Sequence, residues 1–216
     1  MSAASRQEFI VANTRLQRPP LIPEIALYLA DEITPIWRMT EDELGRAGVA
    51  PPFWAFAWAG GQALARYLLD HPGEVAGRTV IDFATGSGLV AIAAKRAGAA
   101  SVIGADIDPF CQAACALNAA ANGVAIGFEG GDLLDAAPPA VDLICAGDIC
   151  YEQPMAGRVV AWLARAHGAG TRVLIGDPGR SYFPRQRLVR LADYAVETTL
   201  ELEDVVVKQA GVWTFA

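Results

Sequence analysis

Thr79-Val-Ile-Asp-Phe-Ala-Thr-Gly-Ser-Gly-Leu-Val-Ala91 decides the fold. An apolar run ends in Asp82, turns through Gly86 and Gly88, and opens into an alanine-rich helix. Asp106 follows 18 residues after Gly88, just past a second apolar run over 101–105. Strand, glycine turn, helix, strand and acidic tip make up the nucleoside-binding half of a doubly wound α/β domain. Glycines in such a turn allow backbone angles that other residues avoid, and they leave room for a ligand against the main chain. Asp106 stands where ribose hydroxyls can donate to it, so the expected cofactor carries a ribose.

Gly86-Ser-Gly-Leu-Val-Ala91 also fits the G-x-G-x-x-G/A fingerprint of NAD-dependent dehydrogenases. Two carboxylates argue for a different ligand. Asp82, four residues before Gly86, would repel a pyrophosphate and attract a cation. Asp132, in Gly130-Gly-Asp-Leu-Leu134, follows an expected third strand over 124–129 and can meet an adenine amino group. Adenosine with a positive tail describes S-adenosylmethionine, with its sulfonium and ammonium, better than it describes NAD. The Tyr-x-x-x-Lys pair of an oxidoreductase is also missing, since neither Lys95 nor Lys208 has a tyrosine four residues before it.

Asp82-Phe-Ala-Thr-Gly-Ser-Gly88 resembles the D/E-x-G-x-G-x-G loop of class I S-adenosylmethionine-dependent methyltransferases, with Ala84 in place of the first glycine. The resemblance implies an α/β, doubly wound, Rossmann-like sheet of seven mostly parallel strands, the last antiparallel. It also implies that Asp82, Ala84, Thr85, Gly86, Gly88, Asp106, Ile107, Asp132 and Leu133 bind the cofactor. Residues 1–216 are expected to form a single methyltransferase domain, with 1–59 a helical cover punctuated by Pro19-Pro20, Pro23 and Pro35, and 60–216 the core. Helices are expected over 60–70, from Pro109 to about 121, over 153–167 and over 184–192, with strands over 141–146 and 172–175 and two more to finish.

Composition narrows the function classes. The chain is 53% hydrophobic, but no apolar run approaches the ~18–20 residues of a membrane span. Met1-Ser-Ala-Ala-Ser-Arg lacks the apolar core of a signal peptide, so a cytoplasmic location is expected. Cys111, Cys115, Cys145 and Cys150 have no C-x-x-C spacing and read as reduced structural thiols; with only His71 and His167 besides, no metal site is expected. The net charge is −7, and between Ala97 and Gly157 eight acidic residues stand without one lysine or arginine. That side suits cationic ligands and disfavours nucleic acid. Seven arginines follow between Arg158 and Arg190; Arg180, Arg185 and Arg187 are read as a solvated helix surface or as a dock for an acidic patch of a partner.

Two further segments point to the acceptor. Asp148-Ile-Cys-Tyr151, beyond the expected strand over 141–146, resembles the D-x-x-Y motif after strand four of the seven-strand protein-lysine methyltransferases. The resemblance implies catalytic roles for Asp148, which would orient the amine or pass on its proton, and Tyr151, which would line the transfer channel. In the segment from Pro52 to Gln62, Trp54 and Phe56 read as core, whereas Trp58 resembles the tryptophan that flanks the cofactor in this group. With Ala105-Asp-Ile-Asp-Pro109 and Asp177-Pro-Gly-Arg180, these segments resemble the bacterial electron-transfer-flavoprotein β-subunit lysine methyltransferases. The resemblance implies that flavoprotein subunit as the protein partner. Ribosomal-protein lysine methylation and small-molecule N-methylation are alternatives within the class. An NAD-dependent oxidoreductase and a catalytically silent binding module are the alternatives outside it.

Overall fold

The computed structural model describes residues 1–30, 51–198 and 205–216. The expected punctuation at Pro35 lies outside them. Helix α1 (Ala3–Asn13) begins at Ser2, whose side chain accepts from Ser5 N–H, and leads into a small antiparallel pair, β1 (Arg15–Gln17) and β2 (Leu27–Leu29). Pro19-Pro20 and Pro23 fall in the connection between these two strands, so here the prolines punctuate a hairpin rather than short helices.

After a single turn at Phe53–Ala55, helix α2 (Ala59–Asp70) leads to β3 (Thr79–Phe83). Helix α3 (Leu89–Arg96), β4 (Ser101–Asp106), α4 (Pro109–Ala121) and β5 (Gly127–Gly130) follow. Strand β6 (Leu143–Gly147), helix α5 (Met155–Gly168), β7 (Arg172–Asp177), β8 (Leu188–Glu197) and β9 (Val207–Phe215) complete the order. The seven strands of the main sheet lie in the order β5-β4-β3-β6-β7-β9-β8. All run parallel except β9, which pairs antiparallel with both β7 and β8.

The alternation of strand side chains divides the interior into two layers. Val80, Leu143, Cys145 and Leu174 face α2 and α3, whereas Ile81, Ile144, Ala146, Val173 and Ile175 face Trp162 and Leu163 of α5. Between α2 and the sheet the contact is main chain on main chain. A Cβ on Gly60 would collide with the Gly176 carbonyl, and one on Gly147 would lie 2.9 Å from Gly61 Cα. This close approach sets the start of α2 directly on the tips of β6 and β7.

A third cluster joins Ile10 of α1 to Trp54, Phe110 and Ala114, with Trp54 stacked on Phe110 at 5.6 Å between ring centroids. Trp54 is thus core, as its reading from sequence had it.

The expected helix over 184–192 is absent. Pro184 leads into a single turn at Arg185–Arg187, and the chain then extends as β8. A bulge between Arg190 and Ala192 breaks the alternation of β8 against β9, and that irregularity hides the strand period in the sequence.

Candidate functional site

In a doubly wound sheet the ligand crevice opens beyond the strand ends where the chain reverses its direction of progress across the sheet. Here that point lies between β3 and β6, with Phe83 paired to Ala146. The glycine loop and the Asp148 segment leave the sheet side by side.

The loop after β3 is built around Asp82. Its carboxylate is 2% exposed, and one oxygen, Oδ2, accepts from the Thr85 hydroxyl at 2.5 Å and from Ala91 N–H at 3.0 Å. Burial pushes its pKa up to about 7; the Thr85 and Ala91 hydrogen bonds oppose this and the charge of Asp106 adds to it. Asp82 and Thr85 therefore face each other inside the loop. Ala84 (φ 55°), Gly86 (φ 51°) and Gly88 (φ 82°) take left-handed conformations that turn the chain over them. A Cβ on Gly88 would press on Cys115 at 3.0 Å from the sulfur, so a glycine is required there on two counts.

Asp106 ends β4 and ties the loop from the other side. Its Oδ2 accepts from Gly86 N–H at 3.1 Å and its Oδ1 from Asp108 N–H at 3.1 Å. Each oxygen keeps a second lone pair, which suits a pair of vicinal hydroxyls. Beside it a cavity of about 330 Å³ is lined by Phe83, Ala84, Asp106, Ile107, Asp132, Leu133 and Met155 among others. Apolar side chains with carboxylates at the rim match a flat heterocycle joined to a sugar. The residues present therefore fit an adenosyl group.

Two residues at this site were not singled out from sequence. Arg158, on α5, donates to Asp132 at 3.2 Å and to Asp135 at 2.9 Å, and it also lines the cavity. The acidic side inferred from 97–157 thus carries a cation brought from the next helix. Asn118 is the buried polar residue of the alanine-rich α4, whose other amide, Gln112, is exposed; the sequence alone does not tell the two apart. Asn118 accepts from Tyr28 N–H at 2.7 Å and donates to the Ser87 carbonyl at 2.8 Å, linking the hairpin to the glycine loop.

The second half of the site gathers at the tips of β6 and β7. Asp148, with φ 54°, accepts from Gly61 N–H at 2.8 Å through Oδ2, and from Arg180 Nε at 3.2 Å and Nη2 at 2.8 Å through Oδ1. Arg180 also lies over the Trp58 ring, 5.8 Å from its centroid. It is therefore an inward-facing partner of Asp148 rather than part of a helix surface. Trp58 caps α2, donates from Nε1 to the Phe53 carbonyl at 2.9 Å, and packs against Phe53 and Phe56. Tyr151 is 40% exposed, with its ring 5.6 Å from Phe53. Burial raises its hydroxyl pKa, and Glu152 and Asp106 add to the rise. Phe53, Trp58 and Tyr151 thus form an aromatic rim beside the Asp148–Arg180 pair.

Asp177 completes this cluster. Its Oδ1 accepts from Gly179 and Arg180 N–H at 2.6 and 2.8 Å, while Oδ2 is buried without a hydrogen-bond partner. Burial pushes its pKa up to about 6 against those two bonds, and the charge of Asp148 contributes to the rise. The four cysteines are buried and unpaired in disulfides, and burial raises each thiol pKa. Among the described residues no group of three or more His, Cys, Asp or Glu side chains is placed to hold a metal ion.

A family model for ribosomal protein L11 methyltransferase (PrmA) matches residues 63–147, the stretch from α2 to the tip of β6. A solved L11 methylase from Lactobacillus delbrueckii subsp. bulgaricus superposes with a TM-score of 0.51 at 22% identity, over 74% of this chain and 81% of that one. This likeness shows the fold. Over nearly the whole chain the similarity is to proteins named for a different substrate. The electron transfer flavoprotein beta subunit lysine methyltransferase of Xenopus laevis is 37% identical, over 99% of this chain and 88% of its own. The human protein of that name is 34% identical, over 96% and 80%. A class I methyltransferase sheet, a glycine loop closed by Asp82 and Asp106, and this end-to-end similarity place the chain in the family of electron transfer flavoprotein beta subunit lysine methyltransferases.

Proposed function

We propose that this enzyme transfers methyl groups from S-adenosylmethionine to lysine side chains of the electron transfer flavoprotein beta subunit. The observation that carries the reading is the juxtaposition, at the β3–β6 switch point, of an adenosyl-sized cavity and an aromatic rim around Asp148. When bound, S-adenosylmethionine supplies an electrophilic methyl group on a sulfonium. Asp106 would take the ribose hydroxyls, Ile107 and Leu133 the faces of the adenine, and Asp132, held by Arg158, its amino edge. Gly86 and Gly88 would offer main chain to the amino-acid tail. Asp82 and Thr85 act one step back, by fixing the loop from within.

A lysine ammonium has a reference pKa near 10.4, so loss of its proton at pH 7 costs about 4–5 kcal/mol. The rim meets part of that cost by excluding water around the incoming side chain, because desolvation disfavours the charged form. Trp58 and Tyr151 border the path of the aliphatic stem, and Asp148 orients the nitrogen. Most of the acceleration comes from this alignment. Residues 1–59 serve as a cover tied to the glycine loop through Asn118, and 60–216 as the catalytic core. Four buried thiols without disulfides suit a reducing cytoplasm.

Labelled methyl transfer to the intact flavoprotein, followed by peptide mass spectrometry, tests the reading. Methylated lysine in the beta subunit is expected. In the same assay Asp148→Asn should bind the methyl donor nearly as well as the native chain and lose most turnover. Asparagine tolerates the left-handed backbone at this position, so the fold should survive. No transfer to the flavoprotein, with donor bound, would overturn the substrate; loss of donor binding by the Asp148 variant would move that residue to the cofactor.

A further inference from the structure

The carbonyl of Ser87, between the last two glycines of the loop after β3, needs a hydrogen-bond donor that α3 does not give it. The helical ladder of α3 starts one residue later, with Ile92 N–H on the Gly88 carbonyl at 2.9 Å. Ala91 N–H, which would otherwise reach back to Ser87, is taken by Asp82 at 3.0 Å. Ser87 is 5% exposed, so its carbonyl has to be satisfied from within the protein. The side chain of Asn118 on α4 does this, with Nδ2 at 2.8 Å.

The other end of the same amide holds the N-terminal hairpin. Asn118 is fully buried, and its Oδ1 accepts from Tyr28 N–H on β2 at 2.7 Å. A carbonyl on one side and an N–H on the other fix which way the amide points. One turn later Asn122 also grips the hairpin, accepting from Ala26 N–H at 3.0 Å and donating to the Ala26 carbonyl at 2.6 Å. Its remaining bond goes to the Asn118 carbonyl at 2.7 Å and not to the loop. Just past β2, Ala30 N–H donates to the Ala55 carbonyl at 2.9 Å. A Cβ on Gly86 would lie 3.9 Å from the Phe53 carbonyl and from Trp54 Cα, so the turn that the hairpin holds backs onto the same loop.

We propose that Asn118 is a positioning residue for the methyl donor: its bond to Ser87 keeps Gly86 and Gly88 in the conformation that binds S-adenosylmethionine, and its bond to Tyr28 couples that binding to closure of the hairpin. This rests on the glycine loop being the seat of S-adenosylmethionine. Gly86 and Gly88, at φ 51° and 82°, are flanked by wide conformational freedom, so a loop released at Ser87 spreads over states of which a fraction is competent. Apparent affinity falls by that fraction. Because coupling between sites is reciprocal, occupation of the loop protects the Tyr28 amide in turn.

The test combines calorimetric affinity for S-adenosylmethionine, thermal unfolding, and amide hydrogen exchange with and without S-adenosylmethionine, in the native chain, Asn118→Ala and Asn122→Ala. Both variants should melt lower than the native chain, since each loses a hold on the hairpin. In Asn118→Ala the Kd should rise by about tenfold or more. Asn122→Ala, with Tyr28 and Ser87 still held, should keep the native affinity. In the native chain and in Asn122→Ala, S-adenosylmethionine should slow exchange of the Tyr28 amide by more than that of the β8–β9 amides; in Asn118→Ala that difference should vanish. Equal effects of the two substitutions on affinity, or none from either, would overturn the inference and leave Asn118 a packing residue. Should Asn118→Ala fail to fold, the native chain decides alone: Tyr28 exchange that slows no more than that of β8–β9 overturns the inference. A native chain that binds no S-adenosylmethionine would bring down the cofactor reading as well.

Discussion

Ala84 shows how one side chain can mark a site by the strain it bears. It is exposed and has φ 55°, a conformation that costs an L-residue about 1–2 kcal/mol. The loop motif that it resembles has a glycine at this position, and the structure supplies the reason. Ala84→Gly removes the strain but frees the unfolded chain at a cost of about 0.5–1 kcal/mol. A net gain of about 0.5–1 kcal/mol in denaturant unfolding is expected. Unchanged or lowered stability would mean that the methyl group makes a compensating contact. The acidic residues at the strand tips could be picked out from sequence because they end apolar runs. Their partners could not, because Arg158, Gly61 and Arg180 come from 26, 87 and 32 residues away along the chain.

Among the elements, α2 depends most on what is missing from it. Gly60 and Gly61 are adjacent in the sequence and face different surroundings. A Cβ on Gly60 would meet the Gly176 carbonyl and approach Asp148 Oδ2 at 2.7 Å, while one on Gly61 has nothing within 4 Å. Gly60→Ala should therefore cost at least about 1–3 kcal/mol and disturb the Asp148 carboxylate, lowering turnover as well. Gly61→Ala should be neutral or stabilising by up to about 1 kcal/mol, as for any helix glycine. Equal effects of the two changes, in chemical denaturation and in methyl transfer, would contradict the packing described. This register could not be read from sequence, since a glycine pair in the first turn of a helix looks the same whichever member touches the sheet. The order of strands and helices from 79 to 177 was legible because apolar runs and turn residues alternate cleanly there. It failed at 184–192, where a bulged edge strand has neither the helical nor the strand period.

At the scale of the whole molecule, two buried carboxylates tie stability to pH. Asp82 and Asp177 are raised to about 7 and about 6, above the ordinary aspartate value that both regain on unfolding. A folded-state pKa above the unfolded one means that the folded chain binds more protons between the two values. The stabilising contribution is therefore complete near pH 4 and is lost as pH rises through 6 to 7. Melting temperature should fall between pH 5 and pH 8 by more in the native chain than in Asp82→Asn, which has no proton to lose there. Parallel melting curves for the two proteins would rule out that assignment. The same two groups lie under the glycine loop and beneath Arg180, so the titration reaches both halves of the site together.

The placement of β9 between β7 and β8 has a further consequence, for the order of events during synthesis. Val207–Phe215 leaves the ribosome after both of its neighbours, so until it arrives β7 presents an unpaired edge flanked by apolar Val173, Leu174 and Ile175. Any chain in which β9 has yet to dock offers that lane to a foreign strand, the kind of edge pairing that seeds aggregation. Closure comes from a single late insertion that zips two edges at once.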